Sequence, residues 1–260
     1  MKNLEPNQDI SSSAVGAFVL CGGAGTRLRP VLADRPKSMA LISGTPFLQL
    51  LLGRLRSQRV DDVILGTGYM AEKIESYFGC GSKFGSRIRY SREDEPLGTG
   101  GALKLAEPLI SDPVLVLNGD SYAEWSFVRM LELFAAKDAD LVIVVQAVPD
   151  VTRYGSVALD HAGRITQFLE KGTQGGPGLI NAGVYLLRKQ IVRDLPVETA
   201  ISLEKEVFPN LLDRRVYGFV CRGLFIDIGV PDDFKRAQTL LASRVSAATH
   251  DSSFPVASDV

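Results

Sequence analysis

The sequence predicts an α/β fold built on a mainly parallel sheet with helices on both faces. Three observations predict it. Up to residue 148, short apolar runs alternate with segments of helical spacing, the order expected when crossover helices cover a parallel sheet. The runs at 17–20, 63–65 and 114–117 are continuously apolar and that at 141–148 is interrupted by Gln146 alone, much as strands buried on both faces are. The chain is also large enough: 260 residues, 45% apolar and 23% charged, suit one large α/β domain or two small ones.

In order, residues 1–13 form a polar segment ending in Ser11-Ser12-Ser13, read as a disordered arm. The first strand follows at 17–20. A helix is expected from Thr45-Pro46 to Arg59, with Leu48, Leu51, Leu52 and Leu55 on one stripe and proline early. A strand at 63–65, a helix at 71–78 and a strand at 87–90 come next. Residues 103–110 read as helix, 114–117 as a buried strand, 127–137 as helix and 141–148 as strand. After Pro149 the pattern changes to short strands at 155–159, 165–170, 180–187, 216–221 and 224–228, with helices at 203–211 and 232–242. We therefore expect one domain over 14–245, with halves 14–148 and 149–245, and a frayed tail over 246–260. No internal repeat is visible.

The formal net charge of −1 argues against a nucleic-acid or membrane-surface partner, so anion binding must be local. Cys21, Cys80 and Cys221 are far apart and lack CxxC spacing, which disfavours a disulfide framework or a zinc site. Cys21 reads as a small buried residue. No apolar run has signal-peptide or membrane-spanning character, and a cytoplasmic location is expected.

The first strand breaks into Gly22-Gly23-Ala24-Gly25, followed by Thr26, Arg27 and Arg29, with Lys37 after Pro36. Glycines let backbone N–H groups approach a ligand, and arginine forks and a lysine supply charge for phosphate oxygens. The stretch reads as a polyphosphate site. Two familiar phosphate loops fail the test: a G-x-G-x-x-G from Gly23 would need glycine at Leu28, and a P-loop from Gly22 would need Gly-Lys at Arg27-Leu28.

What remains, GGxGTRLRP followed by PKxM, resembles the signature of the sugar-phosphate nucleotidyltransferases, the enzymes that make NDP-sugars. Gly22, Gly23, Gly25, Thr26, Arg27, Leu28, Arg29, Pro30, Pro36, Lys37 and Met39 fit it, while Ser38 stands where the family usually has a second proline. The resemblance implies a Rossmann-like nucleotide-diphospho-sugar transferase fold, with sugar-binding strands in the C-terminal half. It implies nucleotide contacts from Leu20, Gly22, Gly23, Gly25, Thr26 and Arg27. The chain stops where larger relatives append a left-handed β-helix, so none is expected here.

Asn118-Gly119-Asp120 ends an apolar strand. In open parallel sheets ligands bind beyond the carboxyl ends of strands, which places Asp120 over the crevice of the glycine loop. A triphosphate needs Mg²⁺, commonly held by one or two carboxylates and phosphate oxygens. A second carboxylate, Asp227, sits between Ile226 and Ile228-Gly229, and the family's D-x-G segment supplies the partner acid on the metal. The expected metal pair is Asp120 and Asp227.

The stretch from Glu93 to Ala102, EDEPLGTGGA, is an acidic turn before a helix start, with Thr99 a candidate N-cap. It also resembles the base loop of the family's guanylyltransferases, P-L-G-T-[AG]-G-A. A carboxylate suits guanine, which offers N1–H and N2–H₂ as adjacent donors. The resemblance places Glu93 there, with Gly98 and Thr99 beside the base; Asp94 and Glu95 are the alternatives. Tyr154-Gly155, Glu170-Lys171 and Asn181-Ala182-Gly183 resemble the segments that hold the sugar 1-phosphate, although Gly172 follows Lys171 where proline is usual. By the same resemblance Arg27, Lys37 and Asp120 are catalytic.

Over residues 15–243 the chain resembles the bacterial D-glycero-α-D-manno-heptose 1-phosphate guanylyltransferases of this family. The expected substrates are GTP and that sugar 1-phosphate, with Mg²⁺ as cofactor. Competing readings are a mannose-1-phosphate guanylyltransferase, a glucose-1-phosphate thymidylyl- or uridylyltransferase, and a non-catalytic nucleotide-sugar-binding regulator. A homo-oligomer is left open.

Overall fold

A computed structural model of the chain describes residues 15–28, 32, 34–169, 172 and 175–245. The expected arms at 1–13 and 246–260 lie outside these, as do Arg29, Pro30, Glu170 and Lys171.

In chain order the strands and helices are β1 (Ala17–Leu20), β2 (Leu41–Ile42), β3 (Thr45–Pro46), α1 (Phe47–Ser57), β4 (Asp62–Thr67), α2 (Ala71–Phe78), β5 (Arg87–Arg92), α3 (Gly98–Leu105), β6 (Val114–Asn118), β7 (Ser121–Ala123), α4 (Phe127–Ala136), β8 (Leu141–Val148), β9 (Ser156–Leu159), β10 (Ile165–Leu169), β11 (Gly178–Leu187), α5 (Lys189–Arg193), β12 (Val216–Cys221), β13 (Phe225–Asp227) and α6 (Pro231–Leu240). Strands β6, β1, β4 and β5 pair side by side in parallel. Strand β11 joins β6 antiparallel and carries β8 on its other edge, and β12 pairs β8 in parallel. Both halves of the chain thus share one nine-stranded sheet.

The buried residues form two clusters, one on each face of that sheet. Along β1, Ala17 and Val19 enter one cluster and Phe18 the other; along β8, Val142 and Val144 separate likewise from Leu141, Ile143 and Val145. This is the two-residue period of a strand covered on both sides. Leu48, Leu51 and Leu55 of α1 and Phe127, Met130 and Phe134 of α4 cover the first face. Leu103 of α3, Ile191 of α5 and Phe208 cover the second.

Strand β11 forks the sheet. Its residues Leu179 and Ile180 pair with β9, whereas Val184 to Leu187 pair with β6. The change of neighbour falls at Asn181-Ala182-Gly183, where Gly183 takes φ +74°. A short ribbon is also set apart: β7 pairs antiparallel with β13, with Ser121 opposite Asp227.

Several local expectations are corrected. Thr45-Pro46 pairs with Leu41-Ile42 instead of opening α1. Residues 203–211 form a π-helical turn, Leu203–Val207, and a 3₁₀ turn, Phe208–Leu211, in place of one α-helix. Helix α3 begins at Gly98, five residues earlier than the apolar spacing suggests, and ends at Leu105. Its first turn is glycine-rich because backbone passes against it. A Cβ at Gly98 would lie 2.6 Å from the Ile201 oxygen, and one at Gly101 2.5 Å from the Thr199 oxygen. Thr99 is consequently inside the first turn, and Leu97 occupies the N-cap position.

The ends of β1 and β6 approach closely at Gly119. Its N–H donates to the Leu20 oxygen at 2.9 Å, and a Cβ there would stand 2.4 Å from that oxygen and 3.1 Å from Cys21 Sγ. Gly119→Ala is expected to cost about 1–3 kcal/mol by overpacking. In urea melts the midpoint should fall with an unchanged m-value; an unchanged midpoint would show that this approach is not required.

Candidate active site

The C-terminal ends of β1, β4 and β6 open onto a cleft of about 640 Å³. Its lining includes the turn from Gly22 to Arg27, Lys37, Glu93, Asn118 and Asp120. These come from separate stretches of chain, and three parallel strands ending side by side bring them to one rim. Leu20, Gly22, Gly23, Gly25, Thr26 and Arg27 all line the cleft, and Thr26 and Arg27 are exposed at it.

Lys37 sits in a 3₁₀ turn whose other residues, Ser38 and Met39, are buried. Its Nζ donates to Asp120 Oδ2 at 2.6 Å and lies 3.8 Å from Asp227 Oδ1. Backbone pairing holds the two acids near each other, since the Ile228 N–H donates to the Asp120 oxygen at 2.9 Å, next to the Ser121–Asp227 register. The Gly229 N–H donates to Asp227 Oδ1 at 2.6 Å and Ser121 Oγ to Asp120 Oδ1 at 3.2 Å, which orients both carboxylates. The acids expected as a pair are therefore adjacent, with a lysine between them.

That donor set suits a hard divalent cation, which takes one or two carboxylates and fills its remaining positions with phosphate oxygens and water. No group of three or more His, Cys, Asp or Glu side chains arranged to hold a metal occurs among the described residues.

Glu93 follows β5 and turns into the cleft. Gly22 and Gly68 make room for it: a Cβ at Gly22 would lie 2.4 Å from Glu93 Oε1, and one at Gly68 2.8 Å from the same oxygen. Glu93 Oε2 accepts the Leu97 N–H at 3.1 Å. Partial burial holds this carboxyl above the usual carboxylate range, against the smaller opposing effect of that hydrogen bond. Asp94, Glu95, Gly98 and Thr99 share the lining. Gly98 has a backbone reason of its own to be glycine, and Thr99 Oγ1 is taken up by Glu204 Oε2 at 2.8 Å.

Of the candidate sugar residues, Tyr154, Gly155 and Asn181 are among the described residues, and none of the three is in the lining of the cleft. Tyr154 packs edge-on against Phe225, 6.0 Å between centroids, two residues before Asp227. The Gly155 oxygen accepts the Asn181 N–H at 3.4 Å. Asn181 Oδ1 accepts the Gly183 N–H at 2.8 Å, and its Nδ2 donates to Tyr185 Oη at 3.1 Å. Burial pushes the Cys21 thiol far up, and the Asp120 charge adds to this. Cys21 is packing, as its type suggests.

Sequence reasoning passed over Gly68 and Tyr69 after β4, and Asn118. The first two had a visible signal, the turn Gly66-Thr67-Gly68-Tyr69 closing an apolar strand. Asn118 had none. Its Oδ1 is buried with no hydrogen-bond partner among the described residues, on the wall of the cleft. Such an acceptor is costly unless a ligand donor meets it.

A glycine turn at the carboxyl edge of parallel strands, facing a lysine and paired acids, defines an α/β protein that handles phosphoanhydrides by position and charge. The chain belongs to the Nucleotidyl transferase family, which it matches over residues 16–244. It is 40% identical over 224 residues to a D-glycero-α-D-manno-heptose 1-phosphate guanylyltransferase of Aneurinibacillus thermoaerophilus, covering 85% of this chain and 96% of that one. To a mannose-1-phosphate guanylyltransferase of Mycobacterium tuberculosis it is 36% identical over 241 residues, covering 91% of this chain and 67% of the relative. The crystal structure of HddC from Yersinia pseudotuberculosis superposes with a TM-score of 0.79 at 38% identity, over 87% of this chain and 99% of that chain. A second HddC structure, complexed with GMP-PN, gives 0.78. The sequence-based expectation of this family and of the α/β fold is borne out.

Proposed function

We propose that this protein transfers GMP from GTP to D-glycero-α-D-manno-heptose 1-phosphate, giving a GDP-heptose and pyrophosphate. The observation that carries this reading is the extent of the match to the heptose enzyme, 40% identity over 96% of its length. The carboxylate of Glu93 in the nucleotide cleft supports the guanine part.

In the reaction an oxygen of the sugar phosphate attacks the α-phosphorus, the bond from that phosphorus to the bridging oxygen breaks, and pyrophosphate leaves. No enzyme nucleophile is required, so the protein's task is alignment and neutralisation of charge. In this reading Gly22 to Thr26 wrap the phosphates, Arg27 holds the outer ones, and Lys37 moves charge onto the α-phosphate. Tyr154, Gly155, Asn181, Glu170 and Lys171 take the sugar 1-phosphate. Asp120 and Asp227 would hold Mg²⁺, which when bound supplies charge neutralisation at the phosphates. The cytosol is the compartment that suits a supply of GTP and sugar phosphate.

The second reading, a mannose-1-phosphate guanylyltransferase, is favoured by 36% identity over 241 residues to such an enzyme. A panel of four nucleotides against heptose, mannose and glucose 1-phosphates, read as pyrophosphate release, separates the two. GTP should exceed dTTP, UTP and ATP in kcat/KM by about 10²-fold, because a site that accepts two adjacent donors leaves its carboxylate unpaired with other bases. Glu93→Gln should erode that preference. The same variant should simplify the pH profile. Only ionised Glu93 accepts both donors, and its raised pKa makes the ionised fraction fall as pH drops through that value. Wild-type kcat/KM for GTP should therefore decline on the acid side at a higher pH than an ordinary glutamate would give, and Glu93→Gln should lack that limb. A preference for dTTP or UTP would overturn the guanine reading.

A further inference from the structure

Glu204 belongs to none of the motifs read above, yet its carboxylate is the most heavily shared acceptor near the cleft. It lies in the π-helical turn Leu203–Val207, an irregularity often found at functional sites. Its Oε2 accepts Thr99 Oγ1 at 2.8 Å and Ser202 Oγ at 3.2 Å, and its Oε1 accepts Tyr185 Oη at 3.0 Å. Thr99 in turn accepts the Leu203 N–H at 2.8 Å. Two of these hydroxyls, those of Thr99 and Tyr185, lead to different parts of the site. Thr99 stands in the first turn of α3 on the lining of the nucleotide cleft. Tyr185, fully buried on β11, receives the Asn181 amide at 3.1 Å. Asn181 occupies the fork of the sheet.

The backbone reinforces the same connection. The Gly100 N–H donates to the Ile201 oxygen at 2.8 Å, and the Ile201 N–H donates to the Leu97 oxygen at 3.0 Å. The segment before Glu204 is thereby bound to the base loop as closely as a paired strand. A carboxylate that accepts hydrogen bonds from both sides transmits a shift on one side to the other, since its two oxygens move as one rigid group.

We infer that Glu204 is a positioning residue that ties the nucleotide loop, through Thr99, to the sugar-reading Asn181, through Tyr185, so that each substrate's subsite sets the affinity of the other. The assignment of Asn181 to the sugar rests on the function proposed above. Glu204 itself acts through its partners. Its consequence is reciprocal, as any binding coupling must be.

The test uses Thr99→Val, which keeps the side chain's shape and removes its hydroxyl, together with Tyr185→Phe and Glu204→Gln. Kinetics are measured with the nucleotide and sugar 1-phosphate that the substrate panel selects. Thr99→Val, a change on the nucleotide side, should raise KM for the sugar 1-phosphate by at least about 5-fold, the lower end of common coupling energies. Tyr185→Phe should likewise raise KM for the nucleotide. In the Glu204→Gln background neither change should add its full effect. Effects of each variant confined to its own substrate, and additive with Glu204→Gln, would overturn the inference. A ligand-free measurement separates this from failure of the proposed function. The Asn181 side-chain amide resonance in a ¹H–¹⁵N spectrum should shift in Thr99→Val and in Glu204→Gln. An unmoved resonance in both, with folded spectra, overturns the coupling whichever substrates the enzyme takes. If Tyr185→Phe fails to fold, the Thr99→Val arm and the amide spectrum decide alone.

Discussion

Asp120→Asn and Asp227→Asn should each lower metal-dependent turnover by on the order of 10³-fold, the upper range for losing one electrostatic element of a preorganised site. The amide keeps an oxygen at the same place but removes the charge, and a hard cation held by carboxylates depends on that charge. Fold should be retained. Asp120 is partly exposed, and the backbone hydrogen bond from Ile228 to its carbonyl oxygen does not involve the side chain. Circular dichroism should therefore stay native while pyrophosphate release collapses. Manganese titrations of the nucleotide-bound protein should show weakened metal uptake in both variants. Either variant retaining its metal response would reduce that residue to a turn acid.

Lys37→Ala should lower kcat by at least about 10²-fold and at the same time make the nucleotide-free protein a better metal binder. The two effects have one origin. Lys37 Nζ lies between Asp120 Oδ2 and Asp227 Oδ1, at 2.6 and 3.8 Å, so in the free protein it neutralises the charge a cation would use. Removing it takes a cation away from between the two carboxylates, and manganese affinity without nucleotide should rise roughly 10-fold or more, even after screening at a partly exposed site. With nucleotide present, the same deletion strips a cation from the phosphates. Near-normal turnover would remove Lys37 from the chemistry. An unchanged manganese affinity would show that it does not guard the acid pair.

Much of this site could be read from the chain alone, and the reason is local. A glycine turn immediately after a buried strand has to present backbone N–H groups at the strand's carboxyl end, so Gly22 to Arg27 were legible without any partner. Asp120 was legible for the same reason, as the acid that follows the apolar run of β6. Parallel strands put such ends on one rim whatever the details of packing. The alternation of apolar runs and helical stripes likewise determined the α/β class, because burial of both sheet faces leaves few other arrangements.

Contacts between distant segments were decided by the tertiary structure. Helix α3 starts at Gly98 because residues 199–201 run against its first turn, and no property of residues 98–102 alone announces that neighbour. The same contact moves Thr99 from the expected N-cap role to a bond with Glu204, 105 residues away. The antiparallel ribbon of β7 and β13 carries Asp227 to Asp120, and the fork in β11 sets Asn181 against Tyr185. Strand ends and turns follow from chain chemistry over a few residues, whereas these pairings depend on which surfaces remain open once the sheet has closed. The amino-acid sequence by itself therefore determined the fold class, the place of the glycine turn and the identities of the candidate acids. Only the folded chain could determine which acid faces which cation and which hydroxyl completes Glu204, because those choices are made by packing across the whole sheet.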